Sequence, residues 1–289
     1  MSVAERVRPA PAPRTAGVLR ASLRLLGSEM RIISGRRRNQ AGLLVLASVP
    51  VLIAVAVKMS APRRGRGPDF LSSITSNGIF VALTALTIEV GLFLPLAVAA
   101  LAGDTVAGEA NTGTLRYLLT VPVHRTRLLL VKYASLVLGA CIGVVVVALT
   151  GVLIGAALFG LGPMTLLSGS QIGLADAFGR LGIVVLYLSC GLAALAAVGL
   201  FISTLTEQPI GAMIAVTIVS TAMWILDGIA QLEWLHPWLL VHDWLSFSDV
   251  FRDPVFWDAM RQGLLVDLGY VVVFLALAWA RFAQKDITS

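Results

Sequence analysis

Residues 128–160 read LLLVKYASLVLGACIGVVVVALTGVLIGAALFG, and Lys132 is the only charged side chain among them. A helix that crosses a membrane needs about 20 consecutive apolar residues, so this stretch is long enough to cross. Because lipid offers no hydrogen-bond partners, such a stretch must be helical to satisfy its own backbone groups. Five further stretches are similarly apolar, and together they predict an all-α membrane protein with six transmembrane helices, at 41–58, 74–102, 128–160, 174–205, 209–232 and 262–282.

The composition of the whole chain supports this fold class. Hydrophobic residues make up 57% of the chain and charged residues only 13%, whereas soluble domains carry about 25% charged residues. The formal net charge of +6 is not spread along a soluble face, so it indicates anionic membrane lipid as the partner and argues against nucleic acid. Cys141 and Cys190 lie inside apolar stretches and are expected to be free thiols.

The chain divides into three parts. Residues 1–16 are rich in proline and are expected to form a disordered tail. Residues 17–40 are predicted to form an amphipathic helix at the membrane interface. Its apolar residues recur at spacings of three and four, at Leu19, Leu23, Leu26, Met30 and Ile33. Residues 41–289 then form the six-helix transmembrane domain, which includes a loop at 103–127.

The distribution of basic residues predicts the orientation. They are concentrated before the first apolar segment, in the loop 103–127 and in the C-terminal tail, although a smaller cluster at 63–66 conflicts with this pattern. Cytoplasmic loops carry an excess of Lys and Arg, so we expect a multi-pass protein of the plasma membrane with both termini in the cytoplasm.

The aromatic segment 233–261 should then lie outside the cell, as short extracellular helices before the last span. Two roles are open for it: an aromatic belt at the membrane surface, or a substrate gate.

The loop between the second and third apolar segments carries an ordered pattern. Residues 108–132 read GEANTGTLRYLLTVPVHRTRLLLVK: an acidic residue, then Gly-Thr-Leu, a pair of Leu, a Pro, an Arg, and a Lys entering the next helix. Leu115, Leu118 and Leu119 fall on one side of a short helix, which suits an apolar ridge that docks in a groove of another protein.

This pattern resembles the cytoplasmic loop of type-2 ABC-transporter permeases. The resemblance implies that the loop 103–127 couples to a nucleotide-binding subunit and that the turn 203–209 touches the same partner. The alternatives are an ordinary basic loop and a plain turn. The residues to which the resemblance assigns this contact are Gly108, Glu109, Gly113, Thr114, Leu115, Arg116, Leu118, Leu119, Pro122, Arg125, Thr206 and Glu207.

The function implied by the resemblance is that of the permease subunit of an ATP-driven ABC exporter. Its partners would be a separate ABC ATPase subunit and a second permease subunit, identical or related. The chain lacks a Gly-Lys-Ser/Thr phosphate-binding loop, so we expect it not to be an enzyme and expect ATP and Mg²⁺ only in the partner. An ATP-independent carrier or channel and a membrane scaffold are the alternatives, and the sequence leaves the cargo open.

Carboxylates within the apolar segments include Glu89, Asp227 and Asp267. Glu89 lies inside the second segment, where an ionisable side chain either lines a substrate path or hydrogen-bonds to a neighbouring helix. Asp227 and Asp267 lie near the predicted outer ends of their segments, and we expect both to be solvated.

Two further patterns concern glycines and histidines. Gly139, Gly143, Gly151 and Gly155 provide G-x-x-x-G spacings, which indicate either a dimer face or tight packing within the subunit. The three histidines, at positions 124, 236 and 242, lack the spacing of common zinc motifs, so no metal site is predicted.

Overall fold

The computed structural model describes residues 15–60, 77–111, 125–166 and 168–284, and these ranges are almost entirely helical. The α-helices are α1 Thr15–Gly35, α2 Arg37–Ser60, α3 Ile79–Gly91, α4 Phe93–Thr105, α5 Ala107–Asn111, α6 Arg125–Phe159, α7 Leu174–Leu205, α8 Pro209–Asp227 and α9 Asp258–Gln284. A two-residue antiparallel hairpin, β1 Met164–Thr165 with β2 Gln171–Ile172, follows α6. Short 3-10 helices at Ala230–Leu232, His236–Trp238 and Trp244–Phe251 lie between α8 and α9.

Within the described residues, α2, α6, α7, α8 and α9 are each long and apolar enough to cross a membrane. Helices α3 and α4 make a sixth candidate if they are taken as one span, with a bend of 53° between them. The prediction of an all-α membrane protein is therefore confirmed, and the helices fall close to the predicted segments.

The second predicted segment, 74–102, differs because it is not one continuous helix. It breaks at Leu92, whose backbone angles (φ −146°, ψ −57°) are not helical. Pro95 accounts for the break, since it has no N–H to donate to the carbonyl of Gly91 and its ring would clash with that carbonyl. Proline is tolerated in the first turn of a new helix, which is where α4 places it.

Helix α7 lies at the centre of the bundle and packs against α4, α6, α8 and α9. In its most apolar window 67% of residues are buried, against 17% in α8 and α9. Within the part of the chain that the structure describes, long apolar faces of α8 and α9 are therefore not covered by other helices, as expected for helices that face lipid. The two cysteines, Cys141 on α6 and Cys190 on α7, are free thiols, as predicted.

Helices α3 and α6 pack closely because glycines lie where they meet. A Cβ atom on Gly155 would lie 2.1 Å from the carbonyl oxygen of Gly78, and one on Gly151 would lie 2.5 Å from the Cα atom of Ala82. Similarly, Gly139 faces Leu101 and Gly143 faces Leu46 and Leu94. Packing within the subunit thus accounts for all four glycines of the G-x-x-x-G pattern.

Helix α1 begins two residues before the predicted bound, ends at Gly35 and packs against α6 and α2. Leu26, Met30 and Ile33 lie on its partly buried face, whereas Leu23 is 58% exposed. Most of the predicted disordered tail, residues 1–14, lies outside the described residues.

Candidate coupling site

One end of the bundle, here called the basic end, brings together α1, the start of α2, α5 and the start of α6. The C-terminus of α9 and the turn between α7 and α8 lie there as well. Residues 112–124, which contain most of the predicted coupling residues, lie outside the described residues, but both of their flanks are at the basic end. The flanks therefore show how the segment is attached to the bundle.

Lys132 is the centre of the basic end and is completely buried on α6. Its Nζ atom lies 2.5 Å from Oε1 of Glu109 on α5 and 3.3 Å from Oε1 of Glu29 on α1. It also donates to the backbone carbonyl of Thr105 at 3.0 Å. An ammonium group has three N–H donors, and three acceptors surround it. One side chain thus joins α1, the end of α4, α5 and α6.

The environment of Glu109 is shaped by two opposing effects. Burial raises the pKa of its carboxyl above the ordinary value, and the adjacent ammonium of Lys132 lowers it by a smaller amount. Removing a charge from water is costly unless it is paired and hydrogen-bonded. Lys132 is therefore the main group that opposes the effect of burial on the pKa of Glu109.

A second charged cluster lies beside the first. Oδ2 of Asp104, at the end of α4, pairs with Arg36 and, at 2.6 Å, with Nη2 of Arg38. Arg38 also donates to the carbonyl of Ala100 at 2.8 Å. The junction between α1 and α2 is thus attached to the last turn of α4.

Ser203, buried near the end of α7, holds the start of α5. Its Oγ atom accepts hydrogen bonds from the backbone N–H groups of Val106 at 3.2 Å and Ala107 at 3.0 Å. The following turn also packs here, because a Cβ atom on Gly103 would lie 2.6 Å from the carbonyl oxygen of Pro209. The structure therefore brings the 203–209 turn against the same helices that lead into residues 112–124.

The chain is also anchored where it leaves residues 112–124. Arg125 donates from Nη1 to the carbonyl of Ala283 at 2.7 Å, at the C-terminus of α9. Arg127 donates from Nε to Oγ of Ser22 on α1 at 2.8 Å. Thr126 accepts from Nε1 of Trp279 on α9 at 2.9 Å. Both flanks of the segment are thus bonded to other helices of the bundle.

Comparison with known families places the chain. A model of one protein family matches residues 50–288, most of the chain. The chain belongs to the DUF2705 family. The description of that family is a protein of unknown function, and no curated protein matches the chain. The matched range includes Asp104, Glu109, Lys132 and Ser203 and begins after α1.

Of the predicted coupling residues of this DUF2705 protein, five are described. Gly108 and Glu109 lie on α5, and Arg125 begins α6. Thr206 accepts from the N–H of Gln208 at 3.1 Å, and Glu207 is exposed in the same turn. The predicted coupling residues that lie outside the described residues are Gly113, Thr114, Leu115, Arg116, Leu118, Leu119 and Pro122.

Sequence reasoning about this DUF2705 chain did not single out the side chains of Glu29, Asp104 and Ser203, although Asp104 lies in the predicted coupling loop 103–127 and Ser203 in the turn 203–209. The signal available for Glu29 was a single acidic residue on a strongly basic amphipathic helix. Asp104 comes directly after the second apolar segment, and Ser203 lies at the end of the fourth. Their partners are distant in sequence, so only the packing of the helices reveals them.

Glu89, the predicted substrate-path residue, lies one turn before the break between α3 and α4 and is fully buried. Among the residues that the structure describes, neither of its carboxylate oxygens has a hydrogen-bond partner. The hydrogen bond to a neighbouring helix, which the sequence left open, is therefore not present within that part of the chain.

The expectation that Asp267 is solvated is wrong, because the residue is buried, at 5% exposed. The physical reason is that Asp267 lies on the face of α9 that packs against α7. Gly263, one turn earlier on that face, meets Tyr187 of α7, whereas Leu265 and Leu268 at the same depth are exposed. Asp227 lies at the end of α8, as expected, where it is partly buried and pairs with His242.

We expect Glu89→Gln to leave the free energy of unfolding of the DUF2705 protein unchanged or slightly higher. The amide of glutamine has nearly the same shape as the carboxylate, and burying it does not require a charge to be removed from water. The measurement is thermal unfolding of the variant and of the unchanged chain in detergent. A large loss of stability would contradict the expectation.

Proposed function

We propose that this protein is the permease subunit of an ATP-driven exporter of the type-2 ABC class, working with a separate ATPase subunit. The observation that carries the proposal is the buried ammonium of Lys132. It links Glu109, at the flank of residues 112–124 (here called the coupling segment), to α1, α4 and α6 at once. A loop that only connects two spans has no need of a fully buried ammonium with three acceptors. A loop that transmits force needs a stiff attachment of this kind.

In the proposed mechanism the ATPase subunit contacts residues 112–124 and the adjoining turn with Thr206 and Glu207. Closure of the ATPase pair on ATP displaces this segment. The displacement passes through Glu109 to Lys132 on α6, and through Arg125 to α9. The helices that border the pathway then move relative to one another, which switches access from one side of the membrane to the other.

The proposal includes six crossings with both termini in the cytoplasm. The start of α3 is bonded to the end of α6, since Gly78 donates to the carbonyl of Gly160 at 3.0 Å. The end of α4 contacts Lys132 near the start of α6. The part of α6 from Lys132 to Phe159 is about 40 Å long at about 1.5 Å per residue, which exceeds the hydrocarbon core of about 30 Å. These contacts support one broken span rather than a re-entrant loop.

The proposed assembly contains a second permease subunit, identical or related, in the plasma membrane. Support comes from α8, where four isoleucines lie on an uncovered face at Ile210, Ile214, Ile218 and Ile225, each at least 49% exposed. Such a face suits either lipid or a facing helix. A pathway between two subunits leaves the class of cargo open.

The test is recovery of an ATP-hydrolysing partner. The tagged chain, purified in mild detergent from its native membranes, is expected to retain a protein with a phosphate-binding loop and to show ATP hydrolysis. Leu115→Asp should lower both the recovered partner and the activity by about tenfold or more, because a charge in a docking ridge leaves a buried ion unpaired. The matched control is Leu161→Asp, in the exposed loop at the opposite end of the bundle.

Three results would contradict the proposal. Transport by the purified chain alone, without ATP, would favour an independent carrier or channel, and a partner that does not hydrolyse ATP would favour a scaffold. Labelling of a cysteine placed at Thr120 by an impermeant reagent added to intact cells would put the predicted coupling segment outside the cell and end the interpretation.

A further inference from the structure

The opposite end of the bundle carries a cluster of side chains that the coupling mechanism does not use. Asp227 ends α8, and His236 and His242 lie in the segment of short 3-10 helices that follows. One ring nitrogen of each histidine and one carboxylate oxygen of Asp227 all lie within 4.8 Å of one another. The two imidazole rings have centroids 5.6 Å apart.

The prediction of no metal site rested on the spacing of the histidines in the sequence, but the fold brings residues together that this spacing does not relate. Helix α8 delivers Asp227, and the turn at Gly228 sends the chain back so that both rings lie beside that carboxylate. The spacing of the two histidines matches no common zinc motif because the ligands are assembled by this reversal rather than by one helix face. The third member, Asp227, could not be recognised without the fold.

The types of ligand select the class of cation. Imidazole nitrogen suits zinc, copper, iron and nickel, whereas calcium and magnesium prefer sites made of oxygen alone. Two histidines with one carboxylate leave a position for water, which is the composition of an accessible zinc site. His242 is exposed and the other two residues are partly buried, so a cation can reach the cluster from solvent.

The distances fit after small side-chain movements. Ligand atoms around tetrahedral zinc, at about 2.0–2.2 Å from the metal, are about 3.3 Å from one another. Nδ1 of His242 and Oδ1 of Asp227 are 2.6 Å apart and share a hydrogen bond, so these two separate slightly when a cation enters between them. The other ligand atoms are at most 4.8 Å apart, so they must approach one another by about 1.5 Å or less to reach this spacing.

The surroundings of His236 favour a metal ligand. Its Nε2 atom lies 3.2 Å from the carbonyl oxygen of Ile229. A carbonyl can only accept, so Nε2 carries the proton and Nδ1 keeps its lone pair. Metal-binding histidines are typically held in this way, with the second ring nitrogen donating to a backbone carbonyl.

We propose that Asp227, His236 and His242 form a binding site for Zn²⁺ on the face opposite the coupling segment. The bound ion joins the end of α8 to the 228–257 segment that covers this end of the bundle. Zinc binding at this site determines how firmly the 228–257 segment is held, so this end of the bundle responds to zinc. This inference is independent of the proposed ATPase partner.

The test uses the full chain with a tag that contains no histidine, in lipid nanodiscs, titrated with ZnCl₂ against a chromogenic zinc indicator. We expect one ion per chain with micromolar affinity or tighter. His236→Gln, His242→Gln and Asp227→Asn should each weaken binding by at least about 10–100-fold, the cost known for losing even an outer-shell partner. Co²⁺ should give the intense visible bands of a tetrahedral site, and these should disappear in the variants.

The controls are His124→Gln, which replaces the remaining histidine, and Asp258→Asn, which replaces a carboxylate at the start of α9. Both should bind zinc as the unchanged chain does. Each variant's Tm without metal serves as its own baseline, because the substitutions also remove hydrogen bonds of the cluster, and zinc should raise the Tm above that baseline only where the cluster is intact. The proposal would be overturned if the His236 and His242 variants bound zinc as tightly as the unchanged chain. It would also be overturned if His124→Gln weakened binding as much as they do, or if the unchanged chain bound no zinc at micromolar concentration.

Discussion

Replacement of Lys132 by methionine is expected to lower the free energy of unfolding by about 3–5 kcal/mol, the usual cost of removing one partner from a buried ion pair. Methionine fills most of the same volume but leaves the carboxylates of Glu29 and Glu109 without their cation. Their side chains are only 15% and 16% exposed, so water compensates little. The measurement is unfolding of the purified chain by SDS titration in mixed micelles.

The matched control is Lys58→Met, at the end of α2, where Lys58 makes a 3.3 Å hydrogen bond to the carbonyl of Leu158 from an exposed position. Exposed substitutions of this kind usually change stability by less than about 0.5 kcal/mol. Adding Glu109→Gln to Lys132→Met should recover part of the loss, because one uncompensated charge is removed. A Lys132 variant as stable as the Lys58 variant would show that the buried ammonium does not hold the basic end together.

Replacement of Gly155 by alanine is expected to lower the free energy of unfolding by about 1–3 kcal/mol, the typical cost of overpacking. The added methyl group would lie 2.1 Å from the carbonyl oxygen of Gly78. That atom belongs to the backbone and cannot rotate away, so α3 and α6 must move apart. The same unfolding titration measures the change.

Two other glycines serve as comparisons for Gly155. Gly182→Ala, on α7, places a methyl group in open space, and alanine favours helix over glycine by up to about 1 kcal/mol, so no loss is expected. Gly139→Ala meets only the tip of Leu101, at 2.7 Å, and should be intermediate because that side chain can turn. If Gly155→Ala changed self-association in detergent without changing stability, the glycines would form a dimer face instead.

The transmembrane helices were predictable from the sequence because the property that specifies them is local. The run at 128–160 is apolar whatever surrounds it, and the helix Arg125–Phe159 extends it by only three residues at its start. The break in the second segment was not predicted, although its cause, Pro95, is local. A proline in an apolar segment can either kink a helix or begin a new one, and the sequence alone does not distinguish these outcomes.

The candidate sites were less predictable, since their members are far apart in the chain. Lys132 stood out as the one charge in its segment, but Glu29 and Glu109 become its partners only when α1 and α5 fold against α6. The cluster of Asp227, His236 and His242 likewise depends on a chain reversal after α8. Asp267 was expected in water and is buried, because it lies on the face of α9 that packs against α7.

The three acceptors of Lys132 have a mechanical consequence. If Glu29, Glu109 or the last turn of α4 moved away separately, an ion would be left buried without its full set of partners. These pieces are therefore expected to move together as one rigid unit at the basic end. In the proposed mechanism this unit pivots at the interruption at Leu92, where α3 and α4 meet at an angle of 53°, so a force applied at residues 112–124 would be transmitted as far as Glu89.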